Sequence, residues 1–278
     1  MTGAPEAATV RTDDGIELRI QYRRHGGGRP LVLVHGYTGA LTDWDPVAAD
    51  LAADRTVITY DHRGHGGSDH GPAGSYTIDR LVSDLGRVLA WAHAEFSTER
   101  VDLVGHSMGG VVAMIHAVAH PDELTSLVLM DTAGAPEFQV PGQVAEIAAV
   151  GRASGMGVVA QLVVDFLRAQ EGMSGPADDV AARMITRLAA TDVEAFDALA
   201  RELNSFPPVN GLGTLDLPTT IVVGETDAGL REPAQRLASM IPGAELVVIA
   251  GAGHSPQEDA PEVVIEALLR HLGRTRPA

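Results

Sequence analysis

The chain has 278 residues, a net charge of −17 and no cysteine. Its hydrophobic content of 45% and charged content of 21% are ordinary for a globular enzyme with a sizeable core. The negative charge argues against nucleic acid or an anionic membrane surface as a partner. The absence of cysteine excludes disulfides and thiol nucleophiles, and the absence of lysine excludes Schiff-base chemistry and the phosphate-binding lysine of a P-loop.

Short apolar runs alternate with amphipathic stretches in the first half of the chain. Residues 16–24 alternate apolar and polar side chains, as a half-buried strand does. Continuous apolar runs predict buried strands at 30–36, 56–61, 101–105 and 124–131. Helical spacing of apolar residues predicts helices at 78–96 and 111–120. Continuous apolar strands separated by helices indicate an α/β fold with a parallel sheet covered on both faces.

The C-terminal part repeats this pattern, whereas the middle of the chain does not. Strands are predicted at 219–225 and 245–251, and helices at 233–240 and 261–272. Between residues 134 and 213 there is no buried-strand run, and alanine-rich amphipathic stretches predict helices at 144–152, 158–169, 178–190 and 193–203. We therefore predict a core of 1–133 and 214–278 that is interrupted by a helical insertion, 134–213.

The N-terminal residues do not have the pattern of a secretory signal. They contain no basic segment followed by an apolar stretch. No apolar run in the sequence approaches the roughly 20 residues that are needed to span a bilayer. The expectation is a cytoplasmic protein with no membrane partner.

The motif that carries the chemistry is Gly-His-Ser-Met-Gly at 105–109. It fits G-x-S-x-G and lies between a predicted strand and a predicted helix, which is the context of a nucleophilic serine on a sharp turn. Small residues on both sides of the turn prevent a steric clash. The helix N-terminus that follows favours developing negative charge. Ser107 is the predicted nucleophile.

A serine nucleophile needs a base, and the base needs a carboxylate that orients it. Of the 11 histidines, His254 follows a predicted strand and is flanked by small residues, so it is the predicted base. Asp227 follows the preceding strand and is the predicted acid. The order Ser, Asp, His is the order expected for this architecture. Asp131, at the end of another strand, is the rival acid.

Acyl transfer also needs backbone N–H groups that bind the oxyanion. The amide of Met108, directly after the nucleophile, is one predicted donor. The amide of Tyr37, in the loop after the strand 30–36, is the other. The Tyr37 side chain is a candidate substrate contact, although it could equally cover the core.

The turn 61–68, Asp-His-Arg-Gly-His-Gly-Gly-Ser, contains residue types that bind metals or phosphate. Its glycines do not match a P-loop and no lysine follows. We interpret it as a structural turn that Asp61 and Arg63 hold in place, and we predict no metal site.

Together these motifs resemble the α/β-hydrolase superfamily: the HGYTG loop, the DHRGHGGS turn, the GHSMGG turn, the GETD acid turn and the GAGH histidine turn occur in family order. The resemblance covers most of the chain. It implies a mostly parallel eight-stranded sheet, no required cofactor and a small-molecule substrate in a pocket between the core and a helical cap, here 134–213. It does not imply an oligomeric state.

The same resemblance separates some subfamilies. Relatives with an aspartate nucleophile are disfavoured, because this chain has Ser107. Carbon–carbon bond hydrolases typically have Asn before the nucleophile and Trp after the histidine, where this chain has His106 and Ser255. Cofactor-free haloperoxidases usually have Trp at the position of Tyr37. The leading hypothesis is hydrolysis of a small ester or lactone.

Two other hypotheses stay open at this point. One is carbon–carbon bond cleavage, or another specialised reaction such as decarboxylation or elimination, on a diketone-like metabolite. The other is a ligand-binding receptor without catalysis, since a fold does not fix a function.

Overall fold

A computed structural model describes residues 4–24, 29–137, 143–169 and 178–274 of the chain. Its centre is an eight-stranded sheet of order β1-β2-β4-β3-β5-β6-β7-β8. β1 and β2 pair antiparallel, β2 also pairs antiparallel with β4, and the remaining neighbours are parallel. The strands are β1 Glu6–Arg11, β2 Glu17–Arg23, β3 Leu31–Val34, β4 Val57–Tyr60, β5 Val101–His106, β6 Leu124–Met130, β7 Thr219–Gly224 and β8 Glu245–Ile249. The predicted mostly parallel sheet is confirmed.

The helices follow the strands in the expected alternation. They are α1 Asp45–Leu51, α2 Ile78–Glu95, α3 Met108–Ala119, α4 Val144–Ser154, α5 Met156–Ala169, α6 Asp178–Ala189, α7 Val193–Leu203, α8 Arg231–Met240, α9 Pro256–Asp259 and α10 Pro261–Arg274. β1 and α1 have no counterpart in the sequence prediction. β1 has a single buried side chain, that of Val10, so its apolar pattern is weak. Among the described helices, none combines the length and apolar character that crossing a membrane would require.

Both faces of the sheet are buried along the central strands β3 to β7. Side chains alternate across each strand, so Leu31 and Leu33 of β3 pack into one cluster with α1 and α10. Val32 and Val34 pack into the other cluster, with α2, α3 and α8. A strand that is buried on both faces needs apolar side chains throughout, so polar residues occur where the strand ends.

Helices α4 to α7 lie between β6 and β7 and form a small apolar cluster of their own, which includes Met156, Val159 and Phe196. α7 also packs against the main core through Leu199. The predicted insertion 134–213 contains residues 138–142 and 170–177, which lie outside the described residues. Its assignment as a separate cap domain stays a prediction.

The turn 61–68 is held by buried charge. Arg63 is 1% exposed and donates to both carboxylate oxygens of Asp84, at 2.6 and 2.7 Å. It also donates to both oxygens of Asp14, at 2.8 and 3.0 Å, and these hydrogen bonds hold the pKa of Asp14 well below its usual value. Asp61 accepts from the amides of Leu41 and Gly67, at 2.7 and 2.8 Å. These contacts connect the turn to the segment between β1 and β2 through Asp14, to α2 through Asp84 and to the backbone at Leu41.

We expect Arg63→Met to lower the free energy of unfolding by about 3–5 kcal/mol, because the change leaves the buried Asp84 carboxylate without its cation. Urea unfolding followed by circular dichroism measures the loss. Arg24→Met is the control, since Arg24 pairs with Glu95 at the surface and should cost far less. Equal losses in the two variants would contradict the anchoring role of Arg63.

Candidate active site

The turn at Ser107 joins β5 directly to α3. Ser107 has φ 52° and ψ −119°, a conformation that L-residues rarely adopt. A Cβ on Gly105 would overlap the backbone of Gly109, and a Cβ on Gly109 would lie 2.5 Å from the carbonyl oxygens of Val34 and His35. Only glycine fits at these two positions, which explains the G-x-S-x-G pattern in physical terms. The helix therefore begins at Met108, three residues before the predicted start.

The structure brings the three predicted triad residues together. Nε2 of His254 lies 3.0 Å from Oγ of Ser107, and Nδ1 lies 2.7 Å from Oδ2 of Asp227. A carboxylate can only accept, so the Nδ1–H donates to Asp227, and Nε2 accepts from the serine hydroxyl. Burial raises the pKa of Asp227, but the hydrogen bonds from His254 and the Leu230 amide, with the charge interaction with His254, together outweigh burial and lower the pKa of Asp227. The imidazole is thereby fixed in the tautomer that can take the serine proton.

The loops that carry Asp227 and His254 pack closely against each other. Asp227 follows β7 and His254 follows β8, both at the carboxyl edge of the sheet. A Cβ on Gly224 would overlap the carbonyl oxygen of Gly253. The glycines therefore allow the approach that places the two side chains within hydrogen-bond distance.

The two predicted oxyanion donors also lie beside Ser107. Met108 is the first residue of α3, where backbone amides have no acceptor within the helix. The loop after β3 passes the nucleophile so closely that a Cβ on Gly36 would lie 3.0 Å from Cβ of Ser107. The next residue, Tyr37, lines cavities on both sides of Ser107. Met108 and Tyr37 thus both lie next to Ser107, and the role of their amides as oxyanion donors stays a prediction.

The side chain of Tyr37 links the oxyanion loop to the inserted helices. Its ring stacks on Phe196 of α7 with centroids 5.6 Å apart, and its hydroxyl donates to the Phe196 carbonyl at 2.6 Å. Burial raises the pKa of Tyr37 above its usual value, so the hydroxyl keeps its proton. The side chain packs against the core cluster, and Tyr37 also lines both cavities. Its contact with a substrate stays a prediction.

His106 is buried, and its ring is hydrogen-bonded to the loop that carries His254. Its Nε2 donates to the backbone carbonyl of His254 at 2.6 Å, and burial lowers its pKa to about 3. It is therefore a neutral contact that supports the histidine loop. The sequence placed it beside the nucleophile but did not show this contact, which joins residues far apart in the chain.

The rival acid, Asp131, is fully buried beside Asp227, and it is Asp227 that accepts the hydrogen bond from Nδ1 of His254. Oδ1 of Asp131 accepts from the Gly224 amide at 2.9 Å. Ligand atoms of Asp131, Asp227 and His254 lie within 4.8 Å of one another, a spacing that could hold a metal ion. The hydrogen bond between Asp227 and His254 accounts for their closeness without one.

Two cavities open beside Ser107. The first, of about 290 Å³, is mainly apolar, and its walls include Met108, Val111, Ala133, Leu203, Phe206 and Leu230. The second, of about 370 Å³, is more polar and is lined in part by Asp43, Ala160, Val163, Met184, Arg187 and Glu258. The inserted helices supply walls of both cavities, so they help to determine which molecules fit.

Arg187 is the site residue that sequence reasoning missed. Its guanidinium lies 2.6 Å from Asp43 and also pairs with Glu258, one turn beyond His254. Arg187 follows Met184 by three residues on α6, so it belongs to the face that packs inward. An arginine on the inward face of a predicted helix is the sequence signal that could have identified it. Arg187 thus connects α6 to Asp43 and Glu258, which also line the second cavity.

Comparison with known proteins agrees with the fold and the motifs. A model described as the alpha/beta hydrolase family matches residues 31–267. The chain belongs to this family. A thermophilic esterase from Thermogutta terrifontis, solved with malate bound, is 28% identical, has a TM-score of 0.80 and aligns over 99% of this chain and 100% of its own.

Two further proteins are similar to this chain, one over nearly the whole of its own length and the other over a small part of its own length. Est816, described as an N-acyl homoserine lactone degrading enzyme, is 25% identical, with a TM-score of 0.72 over 94% of this chain and 99% of its own. Polyketide synthase ThaQ from Burkholderia thailandensis is 33% identical over 98% of this chain, which spans only 13% of the synthase. The family relationship supports a hydrolase.

We expect Gly105→Ala to destabilise the protein by about 1–3 kcal/mol or more, because the added methyl group overlaps the first turn of α3. Thermal and urea unfolding measure the change. Gly157→Ala in α5 is the matched control, since its Cβ would meet no atom within 4 Å and alanine favours a helix. If both variants unfold like the parent protein, the close packing of the turn is wrong.

Proposed function

We propose that the chain is a serine hydrolase that cleaves a small carboxylic ester or lactone through an acyl-enzyme on Ser107. The observation that carries the proposal is the continuous hydrogen-bond chain from Ser107 through His254 to Asp227, at 3.0 and 2.7 Å, between two cavities. A serine hydroxyl is a poor nucleophile, and this arrangement supplies both the base and the group that orients it.

In the first half of the reaction, Oγ of Ser107 attacks the carbonyl carbon while its proton moves to Nε2 of His254. The carbonyl electrons move to the oxygen, which binds the amides of Tyr37 and Met108. The ionised Asp227 stabilises the imidazolium. When the intermediate collapses, the bond to the alcohol oxygen breaks and His254 returns the proton to that oxygen.

In the second half, water replaces the alcohol. His254 takes a proton from water as the oxygen attacks the acyl carbon, and the same amides bind the second oxyanion. The ester bond to Ser107 breaks and the serine recovers its proton from His254. The products are an acid and an alcohol, or one hydroxy acid when the substrate is a lactone.

The size and lining of the cavities support a small substrate. Volumes of about 290 and 370 Å³ are at the lower end of ligand pockets in general. The apolar walls around Phe206 suit a hydrocarbon portion, and the walls around Arg187 suit a polar portion. One similar protein is described as an esterase and another as an enzyme that degrades N-acyl homoserine lactones, and both descriptions support the ester or lactone class proposed here.

We expect Ser107→Ala to lower kcat for short-chain nitrophenyl esters by about 10⁶-fold and to abolish labelling by a fluorophosphonate. Intact-mass spectrometry detects the adduct, and absorbance measures turnover. Ser239→Ala is the control, because Ser239 only bonds the Arg236 carbonyl at the exposed end of α8. Full esterase activity in Ser107→Ala would contradict the proposal.

The same assay separates the remaining hypotheses. An adduct on Ser107 without ester turnover would favour carbon–carbon bond cleavage or another specialised reaction, to be tested by product analysis with a candidate diketone. Absence of an adduct in the folded protein would favour the binding-protein hypothesis.

We expect Asp227→Asn to lower kcat about 10⁴-fold with little change in folding, because the amide no longer stabilises the correct tautomer and the positive charge of His254. Steady-state kinetics with the same esters provides the measurement. Asp216→Asn, an exposed change before β7, should leave kcat unchanged. The acid assignment is wrong if Asp227→Asn keeps the rate while Asp131→Asn removes it.

A further inference from the structure

Asp131 is a buried carboxyl that the proposed mechanism does not use. It directly follows β6, it is 0% exposed, and it lies beside Asp227 and His254. Two carboxyl groups at such close range cannot both be ionised without strong repulsion. The protonation of Asp131 therefore matters for the electrostatics of the whole site.

The backbone holds Asp131 firmly. Its amide donates to the carbonyl of Val222 in β7 at 2.9 Å, and its Oδ1 accepts from the Gly224 amide at 2.9 Å. Its φ of 42° lies in the left-handed region, which Asp and Asn tolerate better than other side chains. The carboxyl is thus fixed to the end of the strand that carries Asp227.

The second oxygen of Asp131 has no N–H or O–H donor among the described residues, although it is buried. A carboxyl oxygen of Asp131 lies within 4.8 Å of one of Asp227, and the interaction between the two groups raises the pKa of Asp131 and lowers that of Asp227, as a shared hydrogen bond would. A hydrogen bond between two carboxyl groups requires that one of them carries the proton.

The surroundings decide which carboxyl is protonated. Asp227 accepts from His254 Nδ1 at 2.7 Å and from the Leu230 amide at 3.3 Å, and both contacts favour its ionised form. Among the described residues, Asp131 accepts from a single N–H group, the Gly224 amide. Burial, with the nearby charges of Asp227 and Asp259, raises the pKa of Asp131 to about 9. The proton therefore belongs to Asp131 at neutral pH.

We propose that Asp131 is a positioning residue whose neutral carboxyl donates a hydrogen bond from Oδ2 to Asp227 and holds that carboxylate against His254. The kinetic part of this inference rests on the proposed function, whereas the protonation of Asp131 does not. The donated bond also favours the ionised form of Asp227. Asp131 thus stabilises the triad without adding a second negative charge beside His254.

The titratable groups around Asp131 are Asp227, Asp259, His254 and His106. Asp259 accepts from the Gly253 amide at 2.8 Å, and His106 is neutral because burial lowers its pKa to about 3. Neither supplies a cation that would ionise Asp131. Above about pH 9 we expect Asp131 to lose its proton, and the two carboxylates then repel each other.

Asp131→Asn is the matched test variant. Asparagine has the same shape and tolerates positive φ, its Oδ1 can accept from Gly224, and its amide can donate to Asp227. It therefore mimics the neutral acid and cannot ionise. Asp131→Gly tolerates the backbone conformation but removes the donor.

The first experiment needs no activity and compares thermal unfolding midpoints of the parent protein and Asp131→Asn between pH 5 and pH 8. A carboxyl whose folded pKa is raised binds more protons in the folded state than in the unfolded state, so the parent protein loses stability as pH rises. We expect the midpoint of Asp131→Asn to rise relative to the parent protein by several degrees over this range. A constant difference would overturn the inference.

The second experiment measures kcat and KM against pH with an ester that the parent enzyme turns over. Asp131→Asn should keep kcat/KM within about threefold at pH 7.5, with the acid limb of the profile unmoved, because no charge is removed. It should also retain activity above pH 9 where the parent enzyme declines. Asp131→Gly should lose on the order of 10²-fold in kcat, with KM little changed, because Asp227 is less well positioned.

The two experiments fail independently. A shift of the acid limb in Asp131→Asn, or full activity of a folded Asp131→Gly, would overturn the positioning role. If the parent enzyme turns over no ester, the proposed function fails, while the unfolding comparison still decides whether Asp131 is neutral.

Discussion

The left-handed backbone at Ser107 is the constraint on which the rest of the site depends. The chain must pass from a buried strand to a buried helix without an intervening loop, so the positions two residues before and after the serine, Gly105 and Gly109, must be glycine. This turn places the hydroxyl above the edge of a sheet whose other strands end at the same level. The histidine and aspartate loops then meet the serine because parallel strands bring their carboxyl ends together, and glycine at Gly224 lets those loops touch.

Burial gives chemically similar groups different roles at this edge. Asp227 is ionised because His254 donates to it, and Asp131 is neutral because burial disfavours its charge and no cation compensates. His106 is held neutral in the same way beside a histidine that must accept a proton. In the proposed mechanism one mobile proton is thus shared by Ser107 and His254, while the protons of the surrounding groups stay in place at neutral pH.

The sequence predicted most of what depends on local pattern. Continuous apolar strands, the glycines around Ser107 and the small residues before His254 are patterns within a few residues of sequence, so they were visible without a structure, although partners such as the Val34 and His35 carbonyls at Gly109 are distant in the chain. β1 was not predicted, because Val10 is its single buried residue and its sequence has no apolar alternation. The contacts of Arg187 and the protonation of Asp131 could not be predicted from the sequence either, because both depend on residues that only folding brings close.

The hydrogen bond from Tyr37 to Phe196 ends on a main-chain carbonyl, not on a side chain. An oxygen of the backbone is present whatever residue occupies position 196, provided that the helix keeps its place. The inserted helices can therefore diverge in sequence, and with them the walls of both cavities, while the loop that carries the Tyr37 amide keeps its anchor. Substitutions in the inserted helices can therefore change substrate preference while the core residues around Ser107 stay the same.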